Sequence, residues 1–269
     1  MIKGSKSQVP FHCFALSKNC SYTLSASGDK ISVFQVDELR VKVLLVSPFP
    51  PIPMATVIAF CPDDNNKIAI GMDDSSIRIY NVRTEEVINN IYGHSKRVTG
   101  LAFSDVLGIL VSSSADDQIC VWDYDNWVMH ITKSLTLPNK RTSSGKSNTR
   151  VQFDDKQIQF LVTHETHLAV YDAYNLRCLK QWVSTESFIT GATFSSGCQL
   201  IFAIFLDATI RIFDASDFTR RCRIDPSCYL PSKIRSIVYP VVIAAHPHEV
   251  NQFALGLSDG RIKLFEPIE

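Results

Sequence analysis

Short runs of alternating apolar and polar residues recur along the whole chain, and no stretch keeps an apolar repeat of 3.6 residues for three turns. That pattern predicts strands throughout and no long helix. The fullest set of runs lies between Gly93 and Asp123, GHSKRVTGLAFSDVLGILVSSSADDQICVWD. Strands are expected over residues 98–103, 109–113 and 119–122, with Asp116 in the turn before the third. Pairing these three strands lets His94, Asp116 and Trp122 meet. A neutral imidazole then donates to the carboxylate while its other nitrogen faces a hydroxyl or the indole. The three are read as a structural clasp, because a buried, satisfied polar network holds one arrangement.

The last of these strands recurs six times, as KISVF ending at Phe34, SIRIY at Tyr80, QICVW at Trp122, HLAVY at Tyr171, TIRIF at Phe213 and RIKLF at Phe265. The aromatic is always followed by an acid or amide: Gln35, Asn81, Asp123, Asp172, Asp214, Glu266. Steps between the aromatics are 46, 42, 49, 42 and 52 residues. First strands such as TVIAFCP, VTGLAFS and ITGATFS carry small residues (Ala59, Gly100, Ala102, Gly191) that suit a crowded inner position. Second strands such as KIAIGMD, ILVSSSAD and LIFAIFLD run into turns with Gly, Asp or Glu. Outer strands are expected over 41–46, 87–91, 128–135, 178–183 and 221–224.

Four strands repeating every 40–50 residues describe the blades of a WD-repeat β-propeller. One blade cannot bury both of its faces, and stacking on its neighbours does so. The expectation is an all-β fold, a WD-repeat β-propeller with six visible blades over 11–269, after an N-terminal tail of 1–10. Residues 137–149, LPNKRTSSGKSNT, are expected to form a flexible loop. Its Ser and Thr beside Lys140, Arg141 and Lys146 are conceivable phosphorylation sites; the plainer reading is a solvated spacer. A second insertion, 225–239, contains Pro226, Tyr229 and Pro231 and reads as more ordered.

Composition narrows the function classes. The 269 residues are 45% hydrophobic and 20% charged, and 27 basic side chains balance 27 acidic ones. Zero net charge argues against a chain whose main work is coating nucleic acid or an anionic membrane. Eight cysteines, among them Cys13, Cys120, Cys178 and Cys198, show no C-x-x-C spacing and read as reduced, packed thiols rather than zinc ligands. Residues 1–10 lack the apolar core of a signal peptide, and runs such as 201–206 are too short to cross a bilayer.

Sites of chemistry do not emerge. Gly145-Lys146-Ser147 ends like a phosphate-binding loop, but Lys140 stands where its first glycine belongs. His164 and His167 have only two residues between them, one short of a zinc-protease spacing, and in a strand and turn they are expected on opposite faces. His246 and His248 flank a proline in a turn. The acid pairs Asp63-Asp64, Asp73-Asp74, Asp116-Asp117 and Asp154-Asp155 fall at predicted turns, where Asp caps local N–H groups. No enzyme, metal or cofactor is expected. A rival reading, a propeller hydrolase with a metal in its channel, is disfavoured by first strands that lack a converging His/Asp/Glu set.

Long runs carry a more particular likeness: DNNKIAIGMDDSSIRIYNVR from Asp64, GHSKRVTGLAFS from Gly93, THETHLAVYDA from Thr163, RCRIDPSCYLP from Arg221 and VVIAAHPHEVNQFALGLSDGRIKLFEP from Val241. They resemble the C-terminal propeller of the plant Topless and Topless-related co-repressors, from about Phe11 onward. The resemblance implies a nuclear scaffold, recruited by repressors and engaging chromatin-modifying components. It implies no direct sequence-specific nucleic-acid contact, no membrane and no small-molecule substrate. The helical LisH and CTLH segments and the first propeller of a full member are not in this sequence. The resemblance also implies a ring of seven blades, against six visible here. The expectation is a partial chain, open or strained between its first and last blades. A generic WD-repeat adaptor and a truncated, non-functional paralogue are the alternatives.

Propellers bind partners on the end formed by the loops that link blades and by the turns between second and third strands. Here those loops hold Pro50, Met54, Lys96, Arg97, Arg150, Phe188, Lys233 and Arg235, and those turns hold Gly28, Asp29, Asp73, Asp207 and Ser258. Lys96, Arg97, Arg150 and Phe188 are the candidate contacts, arginine forks suiting carboxylates on a peptide. The ordinary reading of either arginine is a solvated or internally paired cation.

Overall fold

The computed structural model describes residues 13–17, 21–27, 30–35, 40–46, 53–135, 148–230 and 238–266. The expected tail 1–10, residues 137–147 of the expected loop, and Gly28, Asp29, Pro50, Lys233 and Arg235 lie outside them. Among the described residues, 23 strands form six antiparallel sheets, and no helix is long and apolar enough to cross a membrane. This is the all-β fold of a WD-repeat β-propeller, built of six blades.

The chain divides into two compact units, Met1–Leu135 and Thr136–Glu269. The first holds sheet one, β1 (Cys13–Leu16), β2 (Tyr22–Ser27), β3 (Lys30–Gln35) and β4 (Arg40–Val46); sheet two, β5 (Ala55–Phe60), β6 (Lys67–Met72), β7 (Ile77–Asn81) and β8 (Glu86–Ile91); and sheet three, β9 (Val98–Ser104), β10 (Ile109–Ser114), β11 (Gln118–Asp123) and β12 (Met129–Ser134). The second holds sheet four, β13 (Arg150–Phe153), β14 (Gln159–His164), β15 (His167–Asp172) and β16 (Cys178–Val183); sheet five, β17 (Ile189–Phe194), β18 (Leu200–Phe205), β19 (Ile210–Asp214) and β20 (Arg220–Ile224); and, among the described residues, the three strands of sheet six, β21 (Pro240–Ala245), β22 (Phe253–Leu257) and β23 (Ile262–Phe265). Every sheet is a meander in which successive strands pair. Short 3-10 turns occupy Ser196–Cys198 and Pro226–Cys228, the latter in the second insertion.

In sheets two to five the acid or amide after the aromatic shapes the turn to the outer strand. Oδ1 of Asn81, Asp123 and Asp172 accepts the N–H groups two and three residues on, and Oδ1 of Asp214 accepts that of Ser216. The fourth residue on, Glu85, Trp127, Leu176 or Phe218, then takes a left-handed φ of 53–61°. The turn between the second and third strands repeats likewise. Asp74, Asp116, Asp207 and Asp259 each accept the N–H two residues on, and Ser75, Asp117, Ala208 and Gly260 between them have φ of 62–84°. Short Asp side chains hold such turns locally.

Middle strands are apolar on both faces because each face meets a different sheet. In β18, Phe202 and Ile204 face a core shared with Ile243, Phe253 and Leu255 of sheet six. Ile201, Ala203 and Phe205 face Leu161, Leu168 and Val170 of sheet four. In the first unit, Leu24 and Ile31 pack with Ile58 and Ile70, and Ile77 and Ile79 pack with Leu110 and Trp122. Each such buried side chain stabilises the stack by about 1.5–3 kcal/mol. The second residue of a first strand adds a polar tie to the next sheet. Thr56 Oγ1 lies 2.6 Å from the Val98 carbonyl oxygen, and Thr190 Oγ1 lies 3.0 Å from that of Pro240. Close packing falls on second strands rather than on Gly191. A Cβ on Gly71 would lie 2.6 Å from Val57 and 2.7 Å from Val98, whereas one on Gly191 would meet Ile204 at an ordinary 3.4 Å.

Candidate functional site

In sheet three the β8–β9 loop is tied to the β10–β11 turn. The Lys96 carbonyl accepts from the Ser114 hydroxyl at 3.0 Å, and the Arg97 carbonyl from the Ala115 N–H at 3.0 Å. Sheets five and six repeat the tie, with Leu206 N–H donating to the Phe188 carbonyl at 2.8 Å and Ser258 N–H to the Tyr239 carbonyl at 2.9 Å. In each of these sheets the linking loop and this turn therefore share one end.

His94 lies inside the sheet-three junction. Its Nδ1 is 3.2 Å from Asp116 Oδ2 and its Nε2 is 2.8 Å from Ser112 Oγ, which also accepts from the Trp122 indole N–H at 2.8 Å. Asp116 is anchored by the N–H groups of Ser95 and Gln118 at 2.8 and 2.9 Å. Burial opposes charge on His94, but bonds to Asp116 and to the Cys120 thiol raise its pKa to about 9. Burial likewise opposes charge on Asp116, and the bond to His94 with backbone donors lowers its pKa to about 2. The bond to Asp116 thus favours the protonated form of the ring, where the sequence led us to expect a neutral one. Both of its nitrogens donate, and the Ser112 oxygen takes the ring and the indole together while its own proton faces the Cys120 carbonyl at 3.5 Å. Gly93 has no side chain because the Trp122 ring covers it: a Cβ there would lie 2.6 Å from Cη2.

Lys96 is exposed and Arg97 half-buried, the latter already engaged within the chain. In the second unit Arg150 opens β13 at the surface, and Phe188, 46% exposed, stands in the β16–β17 loop beside Leu206. The structure therefore brings Lys96 and Arg97 together on one loop, and sets Arg150 and Phe188 at the heads of neighbouring sheets.

A second polar tie, a buried arginine bonded to an exposed glutamate, went unread in the sequence. Arg211 sits two residues before the aromatic of its strand, where sheet three has Cys120. Its guanidinium lies 4.2 Å from the Phe205 ring centroid and 5.9 Å from that of Trp182, and donates to Glu186 of the β16–β17 loop at 2.6 Å. Sheet five thus ties its loop with an arginine where sheet three uses a histidine. The clue was an arginine inside TIRIF, at a position that alternation turns inward.

The expectation that His164 and His167 face opposite ways is wrong. Glu165 and Thr166 form a two-residue turn, and the histidines are direct cross-strand partners, which puts them on one face. Both are buried, and burial followed by repulsion from His164 lowers the His167 pKa. Among the described residues no three His, Cys, Asp or Glu side chains gather as a metal would need.

A cleft of about 450 Å³ among the first strands of the second unit gathers Asp155, Ser196 and His246. Their bonds are not those of a nucleophilic relay. His246 Nδ1 accepts the N–H groups of His248 and Glu249, Ser196 donates to the Pro247 carbonyl at 3.1 Å, and Asp155 Oδ2 accepts from Gly197 N–H at 2.7 Å.

Known proteins agree with this architecture. The WD domain, G-beta repeat family matches residues 85–123, the stretch that carries the His94 network. Topless and Topless-related protein 1 of Arabidopsis thaliana are each 55% identical to the chain over 260 residues, which is 96% of this chain. Topless-related protein 4 of the same plant is 50% identical over 267 residues. The chain spans about a quarter, 23%, of the length of these relatives. Over nearly all of its own length, then, this chain is a WD-repeat propeller segment of the Topless and Topless-related kind.

Proposed function

We propose that the chain is a non-catalytic protein-interaction scaffold of a Topless-like transcriptional co-repressor, contributing to negative regulation of transcription in the nucleus. The observation that carries this reading is the 55% identity to Topless over 96% of the chain. Its partners on this reading are proteins: repressors and chromatin-modifying co-repressor components. The end of the sheets where loops and turns are tied offers the surface, with Lys96, Arg97, Arg150 and Phe188 as contacts. His94, Asp116 and Trp122 hold the fold beneath it.

The test is to fuse the chain to a promoter-bound DNA-binding domain in plant nuclei. Reporter output is expected to fall, and a Lys96→Glu, Phe188→Ala variant of unchanged melting temperature to relieve the repression. A well-expressed nuclear fusion that leaves the reporter unchanged would overturn the reading.

A further inference from the structure

A cleft of about 180 Å³ lies between sheets two and three, at the end formed by the β5–β6 and β11–β12 turns. That is the opposite end of these sheets from the one carrying Lys96, so the inference does not rest on the function proposed above. Drug-sized ligands occupy roughly 300–1,000 Å³. This volume suits a single long side chain.

The lining is aromatic and acidic. Tyr124 and Trp127, both half-buried, stand beside the exposed carboxylates of Asp63 and Asp125, over a floor that includes buried Cys61. Lys67 also borders the cleft, with its ammonium 3.9 Å from Asp64 Oδ2. Burial, followed by the nearby carboxylates of Asp63, Asp105 and Asp125, pushes the Tyr124 pKa up to about 12. Burial and a bond to Asp63 push the Cys61 thiol up as well, so it stays protonated and is no nucleophile.

Trp127 holds the left-handed turn position, with φ of 59°. In sheets four and five that position is filled by Leu176 and Phe218, which are buried at 1% and 6% exposure, Phe218 in the core shared by those two sheets. Trp127 instead leaves part of its indole to the cleft. Tyr and Trp faces attract a weakly hydrated alkylammonium, and flanking carboxylates complement its charge and any N–H it retains.

We infer that this cleft takes the side chain of a mono- or dimethylated lysine from a protein partner, with the methylammonium between the Tyr124 and Trp127 rings and the Asp63 and Asp125 carboxylates. A neutral acyl-lysine lacks the charge, and an arginine side chain is the competing cation.

The experiment titrates the ¹⁵N-labelled 269-residue chain with Nα-acetyl-Nε-dimethyl-lysine methylamide and follows the Trp127 indole N–H, assigned with Trp127→Phe. A saturable shift is expected, weaker with unmodified lysine and absent with the Nε-acetyl form. Asp63→Asn with Asp125→Asn should weaken binding roughly tenfold without lowering the melting temperature. Should the double variant melt early, Asp125→Asn alone reads the same effect, because its carboxylate is exposed. No saturable shift, an equal response to the Nε-acetyl probe, tighter binding of the arginine analogue, or unchanged affinity in the carboxamide variants would each overturn the inference.

Discussion

Ser112 is the residue on which the sheet-three network turns, because its oxygen serves both His94 and Trp122. Ser112→Ala removes that acceptor from two buried donors, and an unpaired buried group costs about 1–3 kcal/mol. Trp122→Ala should cost about 3–5 kcal/mol, since it also empties core volume. Melts of both variants test the clasp; unchanged midpoints would contradict it. The pH response follows from the shifts. His94 rises from 6.5 to about 9, so its contribution is complete below pH 6.5 and is lost as pH climbs through 9. Asp116 drops from 3.8 to about 2, so its contribution is complete above 3.8 and is lost as pH falls through 2. The melting temperature should therefore decline between pH 6.5 and 9 in the native chain and hold flatter in His94→Gln. Parallel profiles would refute this charge assignment.

At the scale of the element, the strands were legible because their alternation is regular and every third strand ends in an aromatic. Expected and observed limits differ by about one residue: 118–122 became Gln118–Asp123, and 178–183 is Cys178–Val183. The acid or amide after each aromatic was visible, and in sheets two to five the structure supplies its reason in the capped turn. Asp123→Ala removes the acceptor of two N–H groups and should cost about 0.5–1.5 kcal/mol in a denaturant titration, the net worth of such a bond. A larger loss would mean the turn governs strand pairing beyond itself. Gly71 was visible only as a strand residue. Adding a methyl there drives into Val57 and Val98, so Gly71→Ala should cost about 1–3 kcal/mol through overpacking. What stayed hidden depends on contacts distant in sequence or on turn length. Arg211 needs a loop glutamate 25 residues away, and the facing of His164 and His167 needs the two-residue turn between them. Period-2 reasoning treats residues three apart as opposed, which holds only while the strand runs straight.

For the whole molecule, the repeat made the all-β propeller class readable. Of the candidate contacts, Lys96 and Phe188 are exposed at loop positions, Arg150 is exposed at the head of β13 and Arg97 is half-buried, and no local pattern encodes a partner for them. Charge governs the remaining bulk property. With 27 basic and 27 acidic side chains and a pI near 7.0, the chain has least net repulsion near neutral pH. Colloidal and folding stability therefore pull apart on the alkaline side. Above pH 7 the growing negative charge should raise solubility, while deprotonation of His94 removes a stabilising imidazolium. Polyethylene glycol precipitation at pH 6, 7, 8 and 9 should give minimum solubility near pH 7 and higher values at 8 and 9. Thermal melts over the same series should fall. A solubility curve that instead follows the melting temperature would show that partial unfolding, rather than net charge, controls association of the folded chain.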